Sequence, residues 1–368
     1  MKFIPAIQNI VPYAPGAPIE TVMRRYGLEQ VVKLASNEFP LPPFPEVTGA
    51  VIAALDGLNR YPDGDALDLR GALAEHYGRP LEEIAIGNGS CELLMLIGDT
   101  LLESGDEVVY ADPSFTVYAD ICMRHGAKAV AVPLLPDFGH DLEAMAAAIG
   151  PRTKMVILCN PNNPTGNYLP AAEIAAFIDR VPKDVLVVLD EAYNEFVTAA
   201  DWQGTLPLQA ERANVCVLRT FSKIYGLAGL RVGYGLCPAP LKSALDKVRQ
   251  PFNVNRLAQV AALEALKHQD RVLERRRQNA EVREYLRDTL AAMGRSSIPT
   301  EANFMLVDIT DLCDPQERVC TSLMALGAIV RDGNALGCPG WARVTVGTPA
   351  EIDFFVERLR SLARPASP

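Results

Sequence analysis

Apolar residues along this chain fall into short unbroken runs and longer striped segments. Lys154–Cys159, Val185–Leu189 and Val215–Leu218 are nearly continuous apolar runs, each bounded by turn residues and separated from the next by helical segments. Runs of that kind predict strands of a parallel sheet covered on both faces. Glu107–Tyr110 is a further short strand, closed by the turn Asp112-Pro113-Ser114, and Ile84–Ile86 is another, followed by a glycine turn. Cys91–Leu102 carries apolar residues at 93, 94, 96, 97 and 101, the stripe of a helix. The segment from about 240 to 290 is long, charged and helical, and after it Phe304–Val307 and Ala342–Val346 predict strands of a smaller unit. The first 45 residues differ from all of this. Prolines at 5, 12, 15, 18, 40, 42, 43 and 45 leave room there for one short helix, around Ile19–Tyr26.

The fold class expected is α/β: a large domain with a mostly parallel central sheet covered by helices, plus a small α+β domain built from both chain ends. The divisions fall at 1–45 for the N-terminal arm, 46–245 for the large domain and 246–368 for the small one. Charge narrows the function classes. Forty-five acidic against 35 basic side chains give a net charge of -10, so no basic footprint exists for a nucleic acid or an anionic membrane surface. No stretch approaches the apolar length that spans a bilayer, and Pro5 interrupts any signal-type apolar region. A soluble, cytoplasmic protein is expected. The eight cysteines are scattered with no Cys-x-x-Cys pair, and the four histidines show no ligand spacing, so free thiols and no metal are expected.

In a doubly wound sheet ligands bind beyond the carboxyl ends of the strands, so the residues after each apolar run carry the candidate chemistry. Val185–Leu189 ends in Asp190-Glu191-Ala192-Tyr193. A carboxylate there is either a helix N-cap or the partner of a cationic ligand atom. Val215–Leu218 leads into Arg219-Thr220-Phe221-Ser222-Lys223, followed by glycines at 226, 229, 233 and 235. A lysine desolvated among such residues has a lowered pKa and attacks carbonyls as a free amine. Arg231 adds a cation suited to a phosphate. Gly87-Asn88-Gly89-Ser90-Cys91 joins a strand to a helix, which is a tight turn or an anion site at a helix N-terminus. It lacks the third glycine of a dinucleotide fingerprint, and no Gly-Lys-Ser/Thr phosphate loop occurs anywhere. Asn160-Pro161-Asn162-Asn163-Pro164-Thr165-Gly166 follows another buried run, its prolines fixing a rigid loop.

Taken together, these stretches resemble the fold-type I aminotransferases that use pyridoxal 5'-phosphate (PLP), in the class II branch. The likeness is carried in family order by Lys33-Leu34-Ala35-Ser36-Asn37-Glu38, Arg60-Tyr61-Pro62-Asp63, the 87–90 and 160–166 stretches, Leu189–Tyr193, Arg219–Lys223, Ala228–Gly233 and Arg343–Thr348. The resemblance implies that Lys223 holds PLP as a Schiff base and serves as base and acid, and that Asp190 pairs with the pyridine nitrogen so that the ring withdraws electrons. Asn163 and Tyr193 would bond the ring oxygen, Phe115 would stack on the ring, and the amides of Ser90 and Cys91 with Ser222 and Arg231 would cradle the phosphate. Tyr61 would reach that phosphate from a neighbouring subunit, implying a homodimer with shared sites, to whose contact the arm contributes. Arg343 would grip the anionic end of the substrate, assisted by Arg331 and Tyr13, with Asn37 lining the same pocket.

The activity so implied is amino transfer between histidinol phosphate and 2-oxoglutarate, with glutamate as a product. An aromatic amino-acid aminotransferase is the alternative. Phe39 and Pro42 stand where the family commonly has Asn and Gly, and a Phe in a substrate-facing arm favours that alternative. Cys91, in place of a frequent Asp, is a mild change if the contact there runs through backbone N–H groups. A PLP-dependent decarboxylase or lyase shares the whole cofactor set. A non-catalytic PLP-binding protein is disfavoured by the presence of both Lys223 and Asp190.

Overall fold

The apolar runs form the centre of the larger of two sheets. In the computed structural model, which describes residues 1, 7, 16–312 and 319–362, the strands in chain order begin with β1 (Val32–Leu34), β2 (Ile84–Gly87), β3 (Glu107–Asp112), β4 (Lys128–Pro133) and β5 (Thr153–Cys159). They continue with β6 (Leu186–Asp190), β7 (Val215–Thr220), β8 (Gly233–Leu236), β9 (Phe304–Asp308), β10 (Ala328–Asp332) and β11 (Trp341–Thr345). A seven-stranded sheet has the order β2-β8-β7-β6-β5-β3-β4. All its pairings are parallel except those of β8, which runs antiparallel to both β2 and β7.

Successive side chains of a strand point to opposite faces, and both faces here are covered. Val187, Leu189, Val215 and Val217 join one apolar cluster, while Val188, Cys216 and Leu218 join another. That two-sided burial is why β5, β6 and β7 are apolar without alternation. The turns at their carboxyl ends are thereby gathered at one edge of a rigid platform.

The smaller sheet has the order β1-β10-β11-β9. β1 comes from the proline-rich arm and lies parallel to β10, with Val32 opposite Ala328. The arm therefore holds a strand as well as the helix Ile19–Tyr26, a departure from the single helix expected of it. Three residues are too few to show a period, and β1 owes its conformation to a partner at the far end of the chain. β8 is the second departure. Gly233 and Gly235, noted from the sequence as followers of the candidate lysine, belong to a buried strand. A Cβ on Gly233 would lie 2.3 Å from the Ser90 nitrogen, so glycine is required there for the strand to pass the start of the helix Ser90–Leu101. The charged segment after residue 238 resolves into three helices, Ala239–Val248, Arg256–Leu266 and Gln269–Ala292. Among the described residues no helix is long and apolar enough to cross a membrane.

Candidate active site

A cavity of about 670 Å³ opens at the carboxyl edge of the large sheet, and its lining includes the last residues of β5, β6 and β7, namely Cys159, Asp190 and Thr220. Twelve of the residues singled out from the sequence line it: Asn37, Ser90, Cys91, Phe115, Asn163 and Asp190, with Tyr193, Ser222, Lys223, Arg231, Arg331 and Arg343. Tyr61 does not; it is exposed and stacks on Phe252 with ring centroids 4.6 Å apart. Tyr13 lies outside the described residues.

Lys223 follows β7 by three residues, in a loop tied back by the Ser222 amide donating to Thr220 Oγ1. Its amine faces the Ser36 carbonyl at 3.4 Å and sits 5.4 Å from the centroid of the Tyr193 ring. Burial is the main cause that brings its pKa down to about 8, and the cations Arg343 and Arg231 add to it against Glu38 and Asp190. The neutral amine is thus accessible near physiological pH, which a carbonyl-attacking lysine needs.

Asp190 is buried at the end of β6. Its carboxylate accepts from the Tyr118 hydroxyl at 2.8 Å and from the Ala192 amide at 3.3 Å. Burial nevertheless pushes its pKa up to about 6. A strand-end carboxylate turned into a cavity, with its ionised form under-compensated, suits a cationic ligand atom. The Ala192 bond closes a local turn and caps no helix, since the next helical turn, Asn194–Phe196, has Tyr193 at its N-cap, so the ligand-partner reading stands and the N-cap reading falls.

The anion cradle is built from a helix N-terminus and one arginine. First-turn N–H groups of the helix Ser90–Leu101 have no intrahelical acceptors, and they emerge just after Gly89, whose φ of 81° favours glycine. The Arg231 guanidinium comes so close that a Cβ at Gly89 would lie 2.5 Å from its Nη2. Arg231 itself has a φ of 60°, and its Nη1 donates to Ser222 Oγ at 3.1 Å. A backbone arginine held in the left-handed region beside a glycine that must be glycine is a conformation kept for what it surrounds. Those donors fit the phosphate of the cofactor that the sequence motifs imply.

From the smaller sheet, Arg343 on β11 lines the cavity in register with Arg331 on β10. The buried guanidinium of Arg343 donates to Asn163 Oδ1 and to the Ala35 carbonyl, the latter at 2.9 Å. Asn163 thereby has its amide oriented with the oxygen on Arg343 and the NH₂ left to donate. Asn37, at a φ of 54°, donates from Nδ2 to the Tyr193 hydroxyl at 3.0 Å and from its backbone amide to Thr345 Oγ1 at 3.0 Å. Burial raises the Tyr193 pKa, keeping the phenol protonated.

Two placements were not legible beforehand. Tyr118, which grips Asp190, lies on the helix Val117–His125 and has no motif around it. Phe39 is the correction: it does not line the cavity. Its ring stacks on Phe196 at 6.2 Å and covers the Arg275 guanidinium at 4.7 Å, with Phe44 over the other contact at 4.1 Å. Arg275 in turn donates to the Ile224 carbonyl at 2.7 Å, next to Lys223. Phe39 therefore staples the arm rather than facing substrate, and the preference for aromatic substrates drawn from it falls. Phe39→Ala is expected to destabilise the fold by about 1–3 kcal/mol while leaving the ratio of kcat/KM between two amino donors unchanged. Thermal unfolding and paired donor assays check this.

The arrangement can hold an anion, fix a carbonyl compound on an amine, stabilise a cationic ring and seat a second anion. Comparison with known proteins agrees. Residues 29–359 match the family described as aminotransferase class I and II. The chain is 48% identical over 358 residues to a histidinol-phosphate aminotransferase of Moorella thermoacetica, covering 97% of this chain and 92% of that protein. It is 46% identical to one of Brevibacillus brevis, with 97% of each covered. Among solved structures, histidinol-phosphate aminotransferase from Sinorhizobium meliloti in complex with pyridoxal-5'-phosphate superposes with a TM-score of 0.87 at 32% identity, covering 98% of both chains. Aspartate aminotransferase from Thermus thermophilus with maleate gives 0.84 at 25% identity, covering 99% of this chain and 100% of that one.

Proposed function

The chain belongs to the class I and II aminotransferase family, and on that footing we propose that it transfers the amino group of L-histidinol phosphate to 2-oxoglutarate, with PLP as cofactor. The products would be imidazole acetol phosphate and glutamate, a step of histidine biosynthesis. The observation that carries this is the pairing of Lys223 and Asp190 in one cavity, in a chain alike over nearly its whole length to histidinol-phosphate aminotransferases. No observation favours the aromatic alternative now that Phe39 is out of the cavity.

When bound, the cofactor supplies an aldehyde that accepts the amino group and a ring that withdraws electrons. The chain's own residues do the rest. Lys223 would bond the aldehyde carbon and, once released, take the proton from the amine-bearing substrate carbon and deliver it to the former aldehyde carbon, its pKa of about 8 suiting both giving and taking near neutrality. Asp190 would hold the ring nitrogen in its protonated form. The NH₂ of Asn163 and the phenol of Tyr193 would donate to the ring oxygen, and Phe115 would cover the ring. Ser90 and Cys91 amides, Ser222 and Arg231 would take the phosphate, and Arg343 with Arg331 the anionic end of the substrate.

A homodimer with shared sites is part of the proposal. Ile52, Leu58, Tyr61 and Leu67 are all exposed on one segment, with Tyr61 stacked on Phe252, an apolar surface suited to a partner. Tyr61 of the partner subunit would then complete the phosphate cradle. The division into arm, large domain and small domain at about 45 and 245, and a cytoplasmic location, belong to the same reading.

The deciding experiment adds L-histidinol phosphate to the PLP-loaded protein without any oxo acid and follows the visible chromophore, with phenylalanine in parallel. Loss of the chromophore at low histidinol phosphate, with phenylalanine nearly inert, is expected; the reverse would make the protein an aromatic aminotransferase. Arg343→Gln removes charge-assisted bonds of about 1.5–3 kcal/mol, lowering kcat/KM for histidinol phosphate roughly ten- to a hundredfold. Steady-state assays of donor dependence read this directly.

A further inference from the structure

Asp190 is followed by a second buried carboxylate, Glu191, at 1% exposure. Two adjacent buried carboxylates stay ionised together only if one of them is neutralised, since each disfavours the other's charge. Strand alternation separates their directions. Asp190 lines the cavity, whereas Glu191 meets Arg219 of β7, four residues before Lys223 and also 1% exposed. Arg219 donates from Nη2 and Nε to Glu191 Oε2 at 2.7 and 2.9 Å, and the Thr205 hydroxyl donates to Oε1. The Glu191 amide also bonds the Leu218 carbonyl at 2.9 Å.

Among the described residues Arg219 is the cation that bonds Glu191; Arg276 lies near Arg219 and Glu195 and spends its Nε on the Glu195 carbonyl at 2.7 Å. Arg219 Nη1 donates to the Tyr77 hydroxyl at 3.2 Å, which lies 2.6 Å from the Tyr234 hydroxyl. Burial raises the pKa of both phenols, so they remain neutral. His76 is kept below its ordinary pKa by burial and by Arg219. Glu195 also senses Arg219, but burial pushes it up to about 7, and neither of its oxygens has a hydrogen-bond partner among the described residues. Asp190 for its part is faced by Tyr118, Cys159 and Lys223, and by Glu191 as the neighbouring negative charge.

We propose that Arg219 is a positioning residue for the cofactor's charge: by neutralising Glu191 it leaves Asp190 as the one ionised carboxylate at the ring, and by joining the ends of β6 and β7 it sets Asp190 in register with Lys223. This rests on the PLP reading above. A purely structural ion pair would make the same contacts, but its loss would not act by sign of charge.

The experiment is a pH titration of the visible chromophore of the PLP-loaded protein, together with the cofactor dissociation constant. Arg219→Met leaves Glu191 uncompensated and should raise the titration midpoint by about one pH unit. Glu191→Gln leaves Arg219 uncompensated and should lower it by a similar amount. The double variant should return within about 0.3 unit of the wild type, a cancellation expected only of charges that act as a pair. Midpoints that move in the same direction in both single variants, or in neither, overturn the proposal. If Arg219→Met does not fold, Glu191→Gln and the double variant decide alone: a downward shift reversed in the double supports it, and any other pattern overturns it. Failure of the wild-type chain to acquire a chromophore with PLP would instead overturn the function proposed above.

Discussion

Lys223→Ala is expected to abolish turnover, with a loss of about four orders of magnitude or more, the upper end of what a positioned acid–base group contributes. The size follows from two roles falling on one amine. It would bond the cofactor aldehyde, and it would move the substrate proton. Neither neighbour can substitute, because the Ser36 carbonyl has no proton to exchange and the Tyr193 phenol is held protonated by burial. Borohydride should fix the cofactor covalently to the wild-type chain and not to the variant; fixation that survives in Lys223→Ala would assign the bond to another lysine. A second readout concerns the amine itself. Burial first, then Arg343 and Arg231, lower its pKa to about 8. The amine gains reactivity as it loses its proton, so acylation of Lys223 in the cofactor-free chain should rise with pH and level off above about 8. A midpoint near that of free lysine would remove the electrostatic argument for its activation.

The platform that carries this lysine was legible because its strands are buried on both faces. Lys154–Cys159, Val185–Leu189 and Val215–Leu218 are apolar at every interior position, and each became a central strand within a residue or two of its expected ends. β1 and β8 were not legible for opposite reasons. β1 is three residues long and depends on a partner nearly 300 residues away. β8 is glycine-rich, and glycine argues against a strand until the close passage of Gly233 beside Ser90 is seen.

The site was legible where chemistry follows a strand directly. Asp190 comes at the end of β6 and Lys223 three residues after β7, so knowing the sheet nearly places them. Tyr118 and Phe39 depend on tertiary packing alone. Tyr118 reaches Asp190 from a helix that follows a different strand, β3. Phe39 lies two residues beyond a cavity residue yet points away from it, because Arg275 offers a cation between Phe39 and Phe44 and Phe196 offers a ring. A residue type read in one dimension identifies what a side chain can do, and the packing decides which way it faces.

Asp190→Asn separates the electronic task of that carboxylate from its structural one, because the two side chains have nearly the same shape. The carboxylate accepts from Ala192 on Oδ1 and from Tyr118 on Oδ2; in the amide the oxygen keeps the Ala192 bond, and the NH₂ at the other position donates to the Tyr118 hydroxyl, which reverses that bond without losing it. The fold is therefore expected to survive. What is lost is the negative charge opposite the ring nitrogen, and removing such a preorganised electrostatic partner is expected to lower kcat about a thousandfold. Near-normal activity would remove the electron-withdrawing role from the mechanism. The same pair of proteins gives a stability test of opposite sign. In the cofactor-free chain burial raises the Asp190 pKa to about 6, above an unfolded value near 3.8. A raised carboxylate pKa contributes stability that is fully present below the unfolded value and lost as pH rises through about 6. Asn carries no charge to desolvate, so the cofactor-free variant should be more stable than the wild type above that pH, by up to roughly 2–3 kcal/mol, with the gain vanishing near pH 4. Denaturant melts at acid and neutral pH read it. The position thus trades stability of the empty chain for a charge that is compensated only when a cationic ring sits opposite, and PLP binding should remove the difference by restoring that compensation to the wild type alone.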